Sequence, residues 1–282
     1  MTFALCVKTG DGLVVAADST TSTMATLENG GSVVTNLFRN ANKVFNLVKG
    51  IPIGMCTAGT AAFGSHANEF LLKELRLRMT DPADPVWFVN PETYTVEDVA
   101  RKVHRYFSEE QYEPRKQELG PNARVMFYVA GLDAGSSDGV IFRLDVPAPD
   151  GSEGIAPAVT ADQAAGFVMD GQIESVHRLV RGYSMTTVDL LVQSFGLPES
   201  QREGAVRVLN SMESPVVSAQ MPIQDAIDLA EFLVSVAVKW TRFNAGMETV
   251  GGQIDIAAIT KHEGFKWVRR KHYYQSELNP AV

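Results

Sequence analysis

The sequence predicts an α+β fold in which two stacked sheets lie between two layers of helices, an αββα sandwich. Apolar strand-like runs come in pairs separated by Gly-containing turns, as hairpins do. Segments with helical spacing also come in pairs, between those hairpins, rather than alternating with single strands. No glycine-rich phosphate loop follows a strand, which disfavours a doubly wound nucleotide-binding sheet.

Residues 2–8 and 12–18 (FALCV and LVVAA around TGDG) read as the first hairpin. The Ser/Thr/Asn/Gly-rich stretch from 19 to about 40 reads as loop or a loose edge strand. KVFNLVKGIPIGMCTAG follows as a second hairpin, turning near Lys49-Gly50 and ending at Gly59. Ala61, Phe63, Phe70, Leu71, Leu75 and Met79 then recur at helical spacing, so a strand is expected to run through a glycine directly into a helix. DPADPVWFVNP breaks the chain, and TVEDVARKVHRYF opens a second helix with Thr95 as N-cap.

ARVMFYVAG and GVIFRLD form a hairpin around LDAGSSDG, and the Pro/Gly/Asp-rich stretch 147–162 reads as a loop. A short strand, AAGFVMD, precedes helices in GQIESVHRLVRG, TTVDLLVQSF and from about Gln224 to Phe243. The intervening segment, about 197–222, looks inserted and carries a small helix of its own; 19–42 is the other insert-like segment. Two strands, GQIDIAAIT and FKWVRRKHYY, close the chain.

The 282 residues are 45% hydrophobic, enough to bury a full core. A formal net charge of -8 repels polyanions, which argues against nucleic acid or an anionic membrane as a general partner. The short basic clusters RKVHRY and VRRKH read as solvated element ends. With no apolar run long enough to span a bilayer and polar residues where a signal peptide would be apolar, a cytoplasmic location is expected. Cys6 and Cys56, each in an apolar run, read as buried thiols. The five His show no ligand-like spacing, so no metal or cofactor is expected.

Chemistry concentrates at the start of the chain. Once Met1 is removed, which a small second residue permits, Thr2 carries its α-amine beside its own hydroxyl. An α-amine ordinarily titrates at about pH 8, so it can take the hydroxyl proton near neutral pH, and one residue supplies both nucleophile and base. Such a site needs a cation to keep the amine neutral, a carboxylate to orient the cation and an N–H for the oxyanion. Asp18 ends the strand paired with that of Thr2, Lys43 opens the next hairpin, and Gly59 stands at the expected strand-to-helix junction. Taken singly, each has a plain structural role; their order and placement at element ends give the combination its meaning.

These residues resemble the N-terminal-nucleophile (Ntn) hydrolases of the proteasome β-subunit type. Thr2, DGLVVAAD ending at Asp18, KVF at Lys43 and Ala58-Gly59 match that family's nucleophile, acidic residue, lysine and oxyanion glycine in order, and the late VGGQIDIAAIT resembles its Gly-Gly strand. A Met-Thr start with no propeptide, and Ser19 after Asp18, most resemble the bacterial ancestral β-subunit branch, Anbu. The resemblance covers the whole chain and implies one domain over 1–282 with the four-layer sandwich of that family. It also implies a threonine-nucleophile peptidase acting on peptide or protein within a homo-oligomeric ring or related assembly, with the existence of an ATPase partner left open. Thr20 and Thr21 are the implied substrate-binding residues.

The family's usual Arg after the Asp is replaced by Ser19, Thr20 and Thr21, which leaves Lys43 as the cationic partner, and the stretch from Asp18 to Lys43 is longer than usual. Before the Gly-Gly, Val250 stands where the family has Ser; Thr249 or Glu248 is the substitute there, and Asp170-Gly171 a further supporting pair. Two other functions stay open on sequence alone: an inactive scaffold subunit, and an amidase or transpeptidase acting on a small substrate.

Overall fold

A computed structural model describes residues 2–26, 32–196 and 198–271. Strands β1 (Phe3–Lys8) and β2 (Leu13–Ala17) form the expected hairpin and lie at the centre of a five-stranded sheet. Its order is β12 (Gly166–Gly171), β1, β2, β13 (Asp255–Thr260) and β14 (Gly264–Arg269), every pair antiparallel. A second antiparallel sheet runs β11 (Ile155–Val159), β10 (Gly139–Val146), β9 (Val125–Leu132), β6 (Ile53–Gly59) and β5 (Val44–Asn46).

The central strands are buried on both faces, and their sequence shows why. Along β1, Phe3, Leu5 and Val7 point to one core while Ala4 and Cys6 point to another; along β9, Val125, Phe127 and Val129 alternate in the same way with Met126, Tyr128 and Ala130. Phe3, Leu5 and Val7 on β1, and Val125, Phe127 and Val129 on β9, face helices. Helices α1 (Asn68–Thr80) and α2 (Val96–Arg105) contribute Leu71, Leu75, Val99 and Val103 to the core shared with Phe127 and Val129. Ala4, Ala17, Cys56, Ala58, Ala130 and Ala257 face the core between the sheets, and their small side chains allow the sheets to approach closely. The thiols of Cys6 and Cys56 meet there at 3.8 Å, one from each sheet.

Beyond α2 the chain continues through a π-helical turn (Tyr106–Tyr112) and a 3-10 turn into the short α3 (Lys116–Leu119). On the other sheet, α4 (Glu174–Arg181) and α7 (Ile223–Phe243) share a core with Phe3, Leu5 and Val14. Between them run α5 (Thr187–Phe195) and α6 (Glu199–Asn210), the latter being the small helix expected in the 197–222 segment, whose Leu197 lies outside the described residues. Thr95 caps α2 as expected, its hydroxyl accepting from Asp98 N at 3.0 Å.

Four expectations change. The described residues of the 19–42 segment include an antiparallel pair, β3 (Thr21–Thr26) and β4 (Ser32–Phe38), where a loop or a single loose edge strand is expected. The 147–162 stretch contains β11, which pairs with β10 despite Pro157 because an edge strand needs only one side of its ladder. The chain does not pass from Gly59 straight into a helix: a small hairpin, β7 (Ala62–Phe63) and β8 (His66–Ala67), intervenes, and α1 starts at Asn68. Finally, Lys271 of the VRRKH cluster is buried rather than solvated. The remainder of FKWVRRKHYY, from His272, lies outside the described residues, as does Met1. Among the described residues, no helix is long and apolar enough to cross a membrane.

Candidate active site

The pairing of β1 with β2 sets Phe3 beside Asp18, and the two residues are tied twice. Asp18 N donates to Phe3 O at 3.2 Å, and Phe3 N donates to Asp18 Oδ1 at 3.0 Å. Thr2 therefore lies next to a residue held at a fixed carboxylate. Asp18 is wholly buried and its two oxygens are divided among four donors. Oδ1 takes Phe3 N and, at 2.7 Å, the Lys43 ammonium; Oδ2 takes Thr20 N and Gly251 N, each at 2.9 Å. Four donors satisfy both oxygens of this buried carboxylate without access to water.

Lys43 completes its hold through the Thr20 carbonyl. Burial pushes its ammonium below the ordinary lysine pKa, and the Asp18 charge works against that shift. A lysine held this way is poised to give up its proton more readily than one in water.

On its other side, Thr2 meets the end of β12. Phe3 pairs with Gly171, and Gln172 N donates to Thr2 O at 2.7 Å. Two cavities meet at Thr2. One, of about 360 Å³, is lined by Thr21, Thr23, Phe38, Thr57, Gly59 and Ala61, among others. The other, of about 280 Å³, is more polar and includes Gly59, Arg124, Arg143, Asp145, Asp170 and Gln172. Thr2 and Gly59 border both, so a group bound across the two passes Thr2.

No protein-family model and no curated protein matches this chain. Among solved structures, it is similar to a helical assembly of the Anbu complex from Pseudomonas aeruginosa, with a TM-score of 0.56 and 17% identity over 98% of this chain and 90% of that one. It is also similar to an Anbu (Gly-1) mutant from Hyphomicrobium sp. strain MC1, with a TM-score of 0.54 and 16% identity over 96% of this chain and 86% of that one. The chain has the Anbu fold.

Within this Anbu fold, Thr2, Asp18, Lys43 and Gly59 come together, by a partly different route from the expected one. Gly59 is not at a helix N-terminus; it ends β6 against Val125, and Thr60 N beside it donates to Arg124 O at 2.6 Å. Thr21 lines the larger cavity, whereas Thr20 serves through its main chain, its N–H on Asp18 and its carbonyl on Lys43. Thr249 is buried just before the Gly-Gly, and Glu248 turns outward to Arg39 at 3.3 Å. Asp170 lies in the polar cavity, taking Arg143 Nη1 at 2.6 Å on one oxygen and Gly171 N at 2.6 Å on the other.

Sequence reading missed Arg143, Asp145, Asp255 and Lys271, and took Ser19 only as a point of resemblance and of departure. Arg143 and Asp145 face the same side of β10 two residues apart, where Arg143 makes a two-pronged pair with Asp145 at 2.8 and 2.9 Å; this i, i+2 spacing was a usable signal. Lys271 was hidden by its neighbours, since one buried lysine in VRRKH looks no different from its solvated companions.

Gly171 has a conformational reason to be glycine. Its φ of +93° is unfavourable for other residues, and a Cβ there would lie 1.8 Å from the Thr2 carbonyl oxygen. Gly171→Ala is expected to destabilise the protein by about 3 kcal/mol or more, from strain together with displacement of Thr2. Urea denaturation measures the loss, and an unchanged midpoint would show that β12 does not fix the chain start.

Proposed function

We propose that this chain is a threonine-nucleophile amide hydrolase, a proteasome-like self-compartmentalised peptidase in which Thr2 becomes the N-terminal residue after Met1 is removed. The observation that carries the proposal is the buried Asp18–Lys43 pair, tied through Phe3 N to the residue next to Thr2. A buried ion pair is weak evidence for stability in its own right, since apolar replacements often do as well. Beside the chain start and two cavities, it supplies what an α-amine base requires: a nearby cation to favour the neutral amine, and a carboxylate to hold that cation.

In this reading the Thr2 amine accepts the Thr2 hydroxyl proton while Oγ attacks the substrate carbonyl. The Gly59 N–H stabilises the oxyanion, the amine passes the proton to the leaving nitrogen, and water releases the acyl group. The larger cavity takes the acyl side of a peptide, with Thr21 on its wall, and the polar cavity takes the leaving side, where Asp170 and Gly171 support the chain start; Thr249, buried before the Gly-Gly, is a further support. The proposal extends to a single domain with four αββα layers, supported by three successive cores, and to a cytoplasmic homo-oligomer. The helical assembly of the Pseudomonas aeruginosa neighbour supports the oligomer.

Intact mass is the direct test. Loss of one Met from the purified protein is expected, since only a free Thr2 amine can act as base. Retained Met1 would leave an amide nitrogen at Thr2 and exclude the mechanism, favouring the scaffold reading.

A further inference from the structure

A second ion pair lies behind the Asp18–Lys43 pair. Asp255 and Lys271 expose only 1% and 6% of their side chains, and Asp18 and Lys43 only 0% and 6%, whereas pairs such as Arg39–Glu248 and Arg143–Asp145 are far more exposed. Asp255 opens β13 opposite Ala17, the residue before Asp18. Its carboxylate holds the Lys271 ammonium and also accepts from Lys271 N at 3.1 Å.

Ser19 connects the two pairs. Lys271 Nζ donates to Ser19 Oγ at 2.6 Å, so the hydroxyl's single hydrogen is directed elsewhere, and it goes to the Gln253 carbonyl. Ser19 N donates to Gly251 O at 2.9 Å, while Gly251 N donates to Asp18 Oδ2. Residues 251–255 are thus sewn to Asp18 and Ser19 at three points, and the Lys271 ammonium fixes the direction of one of them.

We propose that Asp255, Lys271 and Ser19 are positioning residues for the Asp18–Lys43 pair, holding Gly251 N on Asp18 and setting the electrostatic environment of Lys43. This inference rests on the hydrolase reading for its catalytic consequence. The charged groups around Lys43 are Asp18 and Asp255, which favour its protonation, and Lys271, which opposes it; the Lys271 effect exceeds that of Asp255. Removing both members of the outer pair therefore raises the Lys43 pKa. None of Ser19, Asp255 and Lys271 lines either cavity at Thr2, so their roles are indirect.

Two variants test the proposal. In Asp255→Asn/Lys271→Met, which removes both charges together, the ¹⁵N-detected titration midpoint of Lys43 is expected to rise. In Ser19→Ala, which keeps all four charges, the Gly251 amide is expected to exchange about tenfold faster than in the wild type. With a peptide substrate, Ser19→Ala is expected to lower kcat about tenfold while KM stays within about twofold.

The titration and exchange measurements need no turnover. A wild-type chain without hydrolase activity would count against the hydrolase reading and leave the positioning role to be decided by those two measurements. An unmoved Lys43 midpoint in the paired variant would overturn the proposal. If that variant does not fold, exchange at Gly251 in Ser19→Ala decides: faster exchange sustains the role and an unchanged rate ends it.

Discussion

Replacing Thr2 by Ala is expected to lower peptide hydrolysis by about 10⁴-fold or more, since removing a covalent nucleophile leaves only binding and oxyanion stabilisation. The folded protein should survive. Thr2 is buried beside β12, but Ala keeps its backbone links, among them the Thr2 carbonyl bond from Gln172 N, and the stability loss should be about 1 kcal/mol. Thr2→Ser keeps both amine and hydroxyl and is expected to retain turnover. A threonine-directed electrophile should add to the wild type and to Thr2→Ser, seen as a mass increase, but not to Thr2→Ala. Equal labelling of all three would place the nucleophile elsewhere. Folded, Met1-processed wild type that neither labels nor hydrolyses would favour a scaffold subunit.

What the sequence made legible was local. FALCV and LVVAA around a Gly turn specify a hairpin through chain-neighbour contacts, and that hairpin brings Asp18 to the start of the chain. Thr95 as N-cap and the paired spacing of helices were equally readable, because caps and periodicity act over a few residues. The pairing of β3 with β4 was not, since Thr, Ser and Asn read as loop or loose edge strand unless a partner strand is known. The Asp255–Lys271 pair was less legible still. Asp255 lies inside an apolar strand run and Lys271 inside a basic cluster, and only the register of β13 on β2 brings both to Ser19. Sequence order pointed to the inner support of the site; the outer one depends on contacts between distant parts of the chain, such as that of Ser19 with Lys271, 252 positions apart.

Asp18→Asn is expected to produce the largest loss of stability at the site. The carboxylate offers two acceptor oxygens to four donors, two on each oxygen. A carboxamide has one oxygen, so in either orientation its NH2 faces two donors, either Phe3 N with Lys43 or Thr20 N with Gly251 N. Buried donors left unsatisfied cost about 1–3 kcal/mol each, for a loss of about 2–6 kcal/mol at neutral pH in urea denaturation. The pH dependence tests the cause. Without the Asp18 charge, the largest opposition to burial at Lys43 is lost, so its pKa in the folded variant falls further below the wild-type value, itself already lowered. Between that folded value and the unfolded lysine value of about 10.4, the unfolded chain binds more protons than the folded one, so stability rises with pH. The window is wider in the variant. Its stability deficit relative to wild type should therefore shrink as the pH is raised through it. A deficit that stays constant would mean that Lys43 does not depend on Asp18 for its charge, and that the pair is not the electrostatic unit on which a Thr2 amine base would rely.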